Sequence, residues 1–281
     1  MTGLEPGARS PGPPGAGAPW SLKPGACSLL SMRLGRLQRH WDEFGRRDPY
    51  WAILTDPAKK GNKWDLEEFF RTGEHEVDDV LAWVESLGVT TRRSRALDFG
   101  CGAGRISQAL ARHFEHVVGV DIAPSMIALA NQHNRHGERC RYLLNEHADL
   151  RQFPDSSVDF LYSRLVLQHL RPNVIRAYVA EFARVLDAGG AAVFNVPASP
   201  LDTPVAGGSL KALAPMPLVR LYRKLRRTFD DRWRFPNMEV NGVPPAELMP
   251  LLTRSGATVV KVQPDQTHGD AGPGFLYCIT V

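Results

Sequence analysis

One stretch, residues 95–122, constrains the fold of this 281-residue chain more than any other. It begins with a short apolar run, Ala96 to Phe99, of the kind found in buried parallel strands. Gly100, Gly102 and Gly104 follow, and their bare backbone can turn sharply and admit a ligand close to its N–H groups. Apolar residues four positions apart then predict a helix from about Arg105 to Phe114, and the next strand is predicted at 117–120.

Asp121 closes that second predicted strand. A strand–loop–helix–strand unit of this length, with a carboxylate at this position, is typical of nucleotide binding. The helix N-terminus suits an anionic or polar ligand, and Asp121 can accept hydrogen bonds from both ribose hydroxyls. The glycine spacing is G-x-G-x-G rather than the G-x-G-x-x-G of the dinucleotide fingerprint, which argues against an NAD-dependent dehydrogenase.

The run Asp98-Phe-Gly100-Cys-Gly102-Ala-Gly104 resembles the first motif of the class I S-adenosylmethionine-dependent methyltransferases, an acidic residue, one further residue and then G-x-G-x-G. The resemblance extends over roughly residues 75–198 in the order of the predicted elements. It implies an α/β fold with a doubly wound, seven-stranded, mostly parallel sheet whose last strand is antiparallel. Helices cover both faces, with a helical N-terminal lid and a helical insertion after the fifth strand.

The sequence pattern itself alternates strands and helices, which independently favours a doubly wound sheet. Apolar runs predict the later strands at 142–144, 158–162, 191–196, 258–262 and 275–281, with helices over 173–185 and 244–255. A Gly189–Gly190 turn is expected to precede the fifth strand.

Residues 1–31 are expected to form a disordered leader. The first 25 residues contain six Pro and six Gly, and such a segment buries too little apolar surface to offset its ordering entropy. Met32 opens the first strongly patterned stretch, so we also consider it as the natural start. The methyltransferase domain is then 32–281.

Within that domain, residues 32–75 are predicted to form an N-terminal lid segment rich in Arg and aromatic residues. Its aromatics either pack the segment onto the domain or cover the cofactor, in which case Tyr50 or Trp51 would face the reaction centre. Residues 199–243 interrupt the strand–helix alternation, and 211–234 contain eight Lys or Arg against two Asp. This basic insertion is either an amphipathic lid with a solvated face or a surface for an anionic substrate or anionic lipid.

The resemblance implies S-adenosyl-L-methionine as the cofactor and assigns its contacts. The glycine loop, including Cys101, would hold the methionine end, with Asp98 fixing the loop and the amine. Asp121 and Ile122 would bind the ribose. The segment His147, Ala148 and Asp149 would meet adenine, and either His147 or Asp149 takes the adenine amine. Ser163, which closes the fourth strand, would lie near the methionine end.

His169 is the candidate general base, because it follows the fourth strand and an alcohol acceptor usually needs a base. The alternative is a structural histidine. His268, before the last strand, is a second candidate. His133 and His136 are predicted one turn apart on a helix surface, and no metal site is predicted.

The acceptor is predicted to be a small molecule methylated at a hydroxyl, and it can be anionic. Ser163-Arg-Leu-Val166 stands where enzymes acting on adenine or glutamine amides carry (Asn/Asp)-Pro-Pro-aromatic, which argues against that chemistry. One alternative is an RNA-modifying methyltransferase that uses the basic insertion, although the net charge of +4 and the absence of a recognised module argue against nucleic acid. Another is a cofactor-binding partner subunit without activity.

Composition sets the remaining bounds. At 43% hydrophobic and 23% charged residues, the chain is typical of a globular protein. Its four cysteines are scattered without a C-x-x-C pair, which favours a reducing cytoplasm over a disulfide framework. No apolar run approaches the ~18 residues of a membrane span. The sequence does not determine the oligomeric state.

Overall fold

The computed structural model describes residues 31–199, 238–265, 267 and 273–281. Within them the helices are α1 (Ser31–Arg47), α2 (Pro49–Ile53), α3 (Leu66–Ser86), α4 (Arg105–Leu110), α5 (Pro124–Gln132), α6 (Pro172–Val185) and α7 (Pro245–Arg254). The strands are β1 (Arg95–Phe99), β2 (His116–Asp121), β3 (Cys140–Leu144), β4 (Val158–Ser163), β5 (Leu186–Pro197), β6 (Thr258–Asp265) and β7 (Gly274–Thr280). Most of the predicted leader and basic insertion, and His268, lie outside the described residues.

The described strands form one sheet in the order β3-β2-β1-β4-β5-β7-β6. Strands β1 to β5 are parallel to one another, and β7 runs antiparallel between β5 and β6. The predicted doubly wound sheet is confirmed. Because β1 lies between β2 and β4, the chain reverses its winding direction there, and ligands bind outside the carboxyl ends of the strands at such a point.

The sheet separates two apolar clusters. One packs β-strand side chains against α6 and α7, through residues such as Phe182 and Leu248. The other packs the opposite face against α3 and α4, through residues such as Val77 and Leu110. Strand β4 is buried along its whole length, as expected for a central parallel strand covered on both faces.

Two predicted elements differ in extent. Helix α4 ends at Leu110, four residues earlier than predicted, and Phe114 is still buried because its ring stacks on Phe160 at 5.4 Å. Strand β5 begins at Leu186 and runs through the predicted Gly189–Gly190 turn. A register shift opposite Val158 and Phe160 brings the backbone very close to Gly190, where an added Cβ would lie 2.8 Å from the carbonyl oxygen of Asp187.

Helix α1 is held against the segment that follows β2. The backbone N–H of Ser125 donates to the Asp42 carboxylate, and the Ser125 hydroxyl donates to the Asp42 carbonyl, both at 2.8 Å. The Gln38 side-chain amide donates to the carbonyl of Ile122 at 3.1 Å. These bonds hold α1, part of the predicted lid segment, beside the carboxyl end of β2.

In the part of the chain that the structure describes, none of the helices is both long enough and apolar enough to cross a bilayer. The same described residues contain no group of three or more His, Cys, Asp or Glu side chains able to hold a metal ion. His133 follows α5 instead of lying on its surface, and its Nε2 is 2.8 Å from the Tyr50 hydroxyl.

Candidate cofactor and acceptor site

A cavity of about 370 Å³ lies at the carboxyl ends of β1 and β4. Its walls come from the glycine loop, the ends of β2, β3 and β4, and the N-terminal lid. The lining side chains are mostly apolar. The polar or charged ones are Thr55, Asp121, Asn145, Arg164, Gln168, His169, Tyr178 and Thr267.

The glycine loop forms one wall of the cavity. Gly100, Gly102 and Gly104 have φ angles of +82°, +51° and +86°, a region that side chains with a Cβ rarely adopt. Gly100 and Gly102 line the cavity, and neighbouring side chains pack directly on them. An added Cβ would lie 2.3 Å from Val166 at Gly100 and 2.6 Å from Ile53 at Gly102. Both backbone conformation and space therefore require glycine here.

Asp121 lines the same cavity from the end of β2. One carboxylate oxygen accepts the backbone N–H of Gly102 at 2.9 Å, and the other accepts that of Ala123 at 2.8 Å. Burial raises the pKa of Asp121, and these backbone bonds oppose the rise. Each oxygen keeps a lone pair for a further donor, and Ile122 lines the wall beside it.

Asp98 lies behind the glycine loop. It is 3% exposed, and the Ser107 hydroxyl donates to its carboxylate at 2.6 Å. Burial raises the pKa of Asp98 to about 7. The buried Cys101 belongs to the apolar cluster of α3 and α4, and an added Cβ at Gly104 would meet the Tyr142 hydroxyl at 2.5 Å. Asp98, Cys101 and Gly104, which the resemblance assigns to the cofactor, thus support the glycine loop from its inner side.

The residues after β3 occupy three different environments. Arg151 donates to both carboxylate oxygens of Asp149, at 2.7 and 2.6 Å, and these bonds lower the Asp149 pKa. Ala148 packs against the apolar cluster of α6 and α7. His147 lies beside Gln38 and Glu146 in a small separate depression that shares Ile122 with the main cavity.

Asn145 reaches the main cavity from the end of β3, although no site role was predicted for it. It is 3% exposed, and its amide donates to the Asp149 carbonyl at 3.1 Å and to the Tyr178 hydroxyl at 3.3 Å. A signal was available in the sequence, because Asn145 is the polar residue that directly follows a parallel strand.

Ser163 is 1% exposed at the end of β4, and its hydroxyl has no hydrogen-bond partner among the described residues. The chain then turns sharply, since Leu165 has a φ of +63° and its N–H donates to the Asn195 side chain at 2.8 Å. This turn directs Val166 onto Gly100 and brings Arg164 to the cavity wall.

His169 and Gln168 lie together in a 3₁₀ turn, Leu167–His169, on the cavity wall. His169 Nδ1 is 2.9 Å from the backbone carbonyl of Glu239, which can only accept, so Nδ1 carries the proton. His169 Nε2 is therefore the acceptor for the Gln168 amide, at 3.1 Å. The Gln168 amide oxygen is then left buried without a hydrogen-bond partner among the described residues.

The lid contributes a different aromatic residue from those predicted. Trp41 of α1 lines the cavity, and its ring meets the His169 ring edge-on at 4.8 Å between centroids. Tyr50 instead packs on Phe69 and bonds His133, while Trp51 lies under the Lys60 ammonium at 4.7 Å. Of the two alternatives for the aromatics of this segment, packing onto the domain is the one that Tyr50 and Trp51 follow, because α2 turns those side chains toward α3 and the 57–63 loop.

The fold and the cavity together define a doubly wound α/β domain that binds a nucleotide cofactor at its topological switch point. Comparison with known proteins narrows this class. Residues 97–194 match the family model described as a methyltransferase domain. The match contains the glycine loop, Asp121 and the Gln168–His169 turn. With the strand order, it makes this part of the chain similar to the class I S-adenosylmethionine-dependent methyltransferases, whose cofactor is S-adenosylmethionine.

Three similar proteins illustrate the range of the family. The ubiquinone biosynthesis O-methyltransferase of Xylella fastidiosa (strain 9a5c) is 29% identical over 183 residues, which are 65% of this chain and 68% of that protein. The malonyl-[acyl-carrier protein] O-methyltransferase of Serratia marcescens is 31% identical over 137 residues, 48% of each chain. The crystal structure of magnesium protoporphyrin IX methyltransferase from Synechocystis PCC 6803 with bound SAH superposes with a TM-score of 0.55 at 17% identity, covering 87% of this chain and 97% of that one.

Proposed function

We propose that this enzyme transfers the methyl group of S-adenosylmethionine to a hydroxyl oxygen of a small, largely apolar acceptor. The observation that carries the proposal is the single cavity that joins the glycine loop and Asp121 to the Gln168–His169 pair. Relatives named as O-methyltransferases support oxygen as the methylated atom. An apolar cavity of this size suits a small molecule better than a nucleic-acid strand.

The residues at the glycine-loop end of the cavity fit the cofactor. Asp121 has an open lone pair on each carboxylate oxygen for the ribose hydroxyls, and the glycine loop offers close backbone approach to the methionine end. Ser163 stays a predicted contact of that end, although its hydroxyl is buried and it does not line the cavity. For adenine, the pairing of Asp149 with Arg151 favours His147 over Asp149 as the contact, with Asn145 as an additional one.

The cofactor supplies an activated methyl group on a sulfonium, so the protein must mainly position the acceptor and exclude water. Trp41, Met238 and Val240 provide an apolar wall on the acceptor side. The Gln168 amide oxygen is buried without a partner among the described residues, so a rotation of this side chain that brings the oxygen to an acceptor hydroxyl would remove the cost of leaving it unsatisfied.

His169 is then the proposed proton acceptor. Its Nδ1–H is bonded to Glu239, which holds the ring in the tautomer whose Nε2 can receive a proton. The single lone pair of Nε2 accepts from the Gln168 amide in this structure, so the acceptor hydroxyl must displace that amide before Nε2 can take its proton.

The test begins with thermal unfolding in the presence of S-adenosylhomocysteine, with NAD as the control ligand. Ligand at about a hundred times its dissociation constant should add roughly 2.7 kcal/mol and raise the midpoint by several degrees. Asp121→Asn keeps the size of the side chain and should reduce the shift strongly. A shift with NAD alone would overturn the proposed cofactor site.

The acceptor is tested by transfer of labelled methyl from S-adenosylmethionine to a panel of phenols and alcohols, with the matching amines and thiols as controls. Methylation of hydroxyl compounds at rates well above those of the amines and thiols is the expected result. Exclusive methylation of amines or thiols would overturn the choice of oxygen while leaving the cofactor site intact.

A further inference from the structure

Arg164 brings a positive charge to an otherwise apolar part of the cavity. It is the only Arg or Lys among the described residues that line the cavity. Its side chain is 32% exposed, so the guanidinium is accessible from the cavity although much of the side chain is covered. A polar group in an apolar pocket fixes the orientation of a ligand and provides specificity.

The acidic neighbours of Arg164 are more closely engaged with other groups. Glu76 accepts from Arg105 and from the Tyr162 hydroxyl, each at 2.8 Å, whereas its nearest distance to Arg164 is 3.9 Å. Asp265 accepts from the Asn195 amide at 2.8 Å and lies 3.5 Å from Arg164.

The guanidinium Nη2 donates both to the Asp265 carboxylate at 3.5 Å and to a neutral group, the Thr267 hydroxyl, at 2.9 Å. A guanidinium has five N–H donors in a planar fork, and the contacts of Arg164 use only part of this capacity. Because Nη2 directs its hydrogens at Asp265 and Thr267, a ligand carboxylate would engage the fork by replacing the Thr267 contact, and its geometry matches the fork.

The position of Arg164 in the sheet indicates which ligand supplies that carboxylate. Asp265 ends β6 and Thr267 follows it, and this strand is separated from β4 by β5 and β7. Asp121 and the Gly100–Gly104 loop lie at β1 and β2, on the opposite side of β4. Arg164 thus faces the half of the cavity beyond the cofactor residues.

The turn that carries Arg164 is rigidly held. Asn195 accepts the N–H of Leu165 through its side-chain oxygen and donates to Asp265 through its amide, both at 2.8 Å. One side chain of β5 therefore fixes both the backbone after Arg164 and the carboxylate beside its guanidinium. Such preorganisation reduces the entropy lost when a ligand binds.

We infer that Arg164 is a specificity-determining residue that binds a carboxylate carried by the methyl acceptor in addition to its hydroxyl. The inference rests on the proposed function, because it assigns the chemistry of the acceptor for the same cavity. The S-adenosylmethionine carboxylate is the other source of this group, and the experiment separates the two.

The experiment measures ligand binding to the full-length protein saturated with S-adenosylhomocysteine. The probes are benzoate, indole-3-acetate and decanoate, each compared with its primary amide by calorimetry and thermal unfolding. At least one carboxylate should bind the parent protein about tenfold more tightly than its amide, as expected for a charge-assisted bidentate contact. A parent protein that prefers none of the carboxylates would overturn the inference.

Arg164→Gln should abolish the preference for carboxylates, and Arg164→Lys should retain part of it because the charge remains without the fork. The matched control is Arg176→Gln, which removes an arginine that pairs with Glu247 between α6 and α7. This control should keep the full preference. A preference that survives in Arg164→Gln would overturn the inference, and the unfolding midpoint without ligand reports whether each variant is folded.

Two cofactor fragments separate the sources of the carboxylate. S-adenosylhomocysteine contains the amino-acid carboxylate, and 5′-methylthioadenosine lacks it. Arg164→Gln should bind both as the parent does. A loss of about tenfold or more for S-adenosylhomocysteine alone would assign Arg164 to the cofactor and overturn the inference, while leaving the proposed methyltransferase function in place.

Discussion

The side chain of Val166 lies directly against the backbone of Gly100, so that a Cβ added at Gly100 would come within 2.3 Å of the Val166 methyl carbon. This contact joins the turn after β4 to the glycine loop after β1, the two strands that flank the crevice of the sheet. It makes the shape of the cofactor wall depend on two segments more than 60 residues apart in sequence.

The contact leads to a first prediction for Gly100→Ala. The substitution adds strain at a φ of +82° as well as the collision with Val166, so we expect a loss of roughly 2–4 kcal/mol in unfolding free energy and much weaker S-adenosylhomocysteine binding. Chemical denaturation and calorimetry measure the two effects.

Gly88→Ala is the matched control, because Gly88 has a φ of +78° but no neighbouring atom within 4 Å of an added Cβ. It should cost only the backbone strain, about 1 kcal/mol, and leave ligand binding unchanged. The double substitution Gly100→Ala with Val166→Ala should recover part of the lost binding. Equal binding by Gly100→Ala and the parent would show that the contact does not shape the site.

The raised pKa of Asp98 leads to a second prediction, which concerns how the free energy of unfolding depends on pH. Because burial raises this pKa from 3.8 to about 7, the folded state holds a proton that the unfolded state releases between these pH values. The contribution of Asp98 to the unfolding free energy should therefore fall as pH rises from about 4 to about 7, and then level off. Asp98→Asn should remove this part of the decline, as measured by denaturant unfolding across that range.

The appropriate control for the second prediction is Asp79→Asn on the exposed face of α3, whose pH profile should follow that of the parent. A profile for Asp98→Asn that parallels the parent throughout would show that Asp98 stays ionised in the folded protein.

A third prediction concerns the lid. Trp41 lines the cavity beside His169, whereas Trp64 packs on Phe69 away from it. Binding of S-adenosylhomocysteine should change the tryptophan emission of the parent because it alters the surroundings of the Trp41 indole. Trp41→Phe should lose most of this change, and Trp64→Phe should retain it. If Trp41→Phe keeps the ligand-induced change in emission and Trp64→Phe loses it, the change reports on the surroundings of Trp64 and not on Trp41.

The fourth prediction tests the proposed base. His169→Gln should lower kcat for a hydroxyl acceptor by about 10²–10⁴, the usual contribution of a positioned general base. The affinity for S-adenosylhomocysteine should change little, because the cofactor contacts are assigned to other residues. If kcat is retained while the unfolding midpoint falls, His169 has only the structural role that its bonds to Gln168 and Glu239 also allow.

Much of the fold could be predicted because its signals are local. The apolar runs at β1, β2 and β4 and the spacing of Gly100, Gly102 and Gly104 are readable within short windows, and α6 was predicted to within one residue of its start. The strand β5 was predicted too short, since it begins before the two glycines and its register against β4 shifts there, with four residues of β5 opposite one of β4. Such a shift depends on the partner strand, which a local pattern does not specify.

The sequence by itself therefore determined the order of strands and helices, the glycine loop and the carboxylate of Asp121 that ends β2. These follow from side-chain periodicity and from the conformations that only glycine adopts freely. Only the tertiary structure decided which distant residues complete the cavity: Ile53 and Trp41 from the lid, Asn145 from β3, and Arg164 and Gln168 after β4. The physical reason is that cavity walls and buried pKa values arise from contacts between segments far apart in the chain, and those contacts form only when the sheet has brought the segments together.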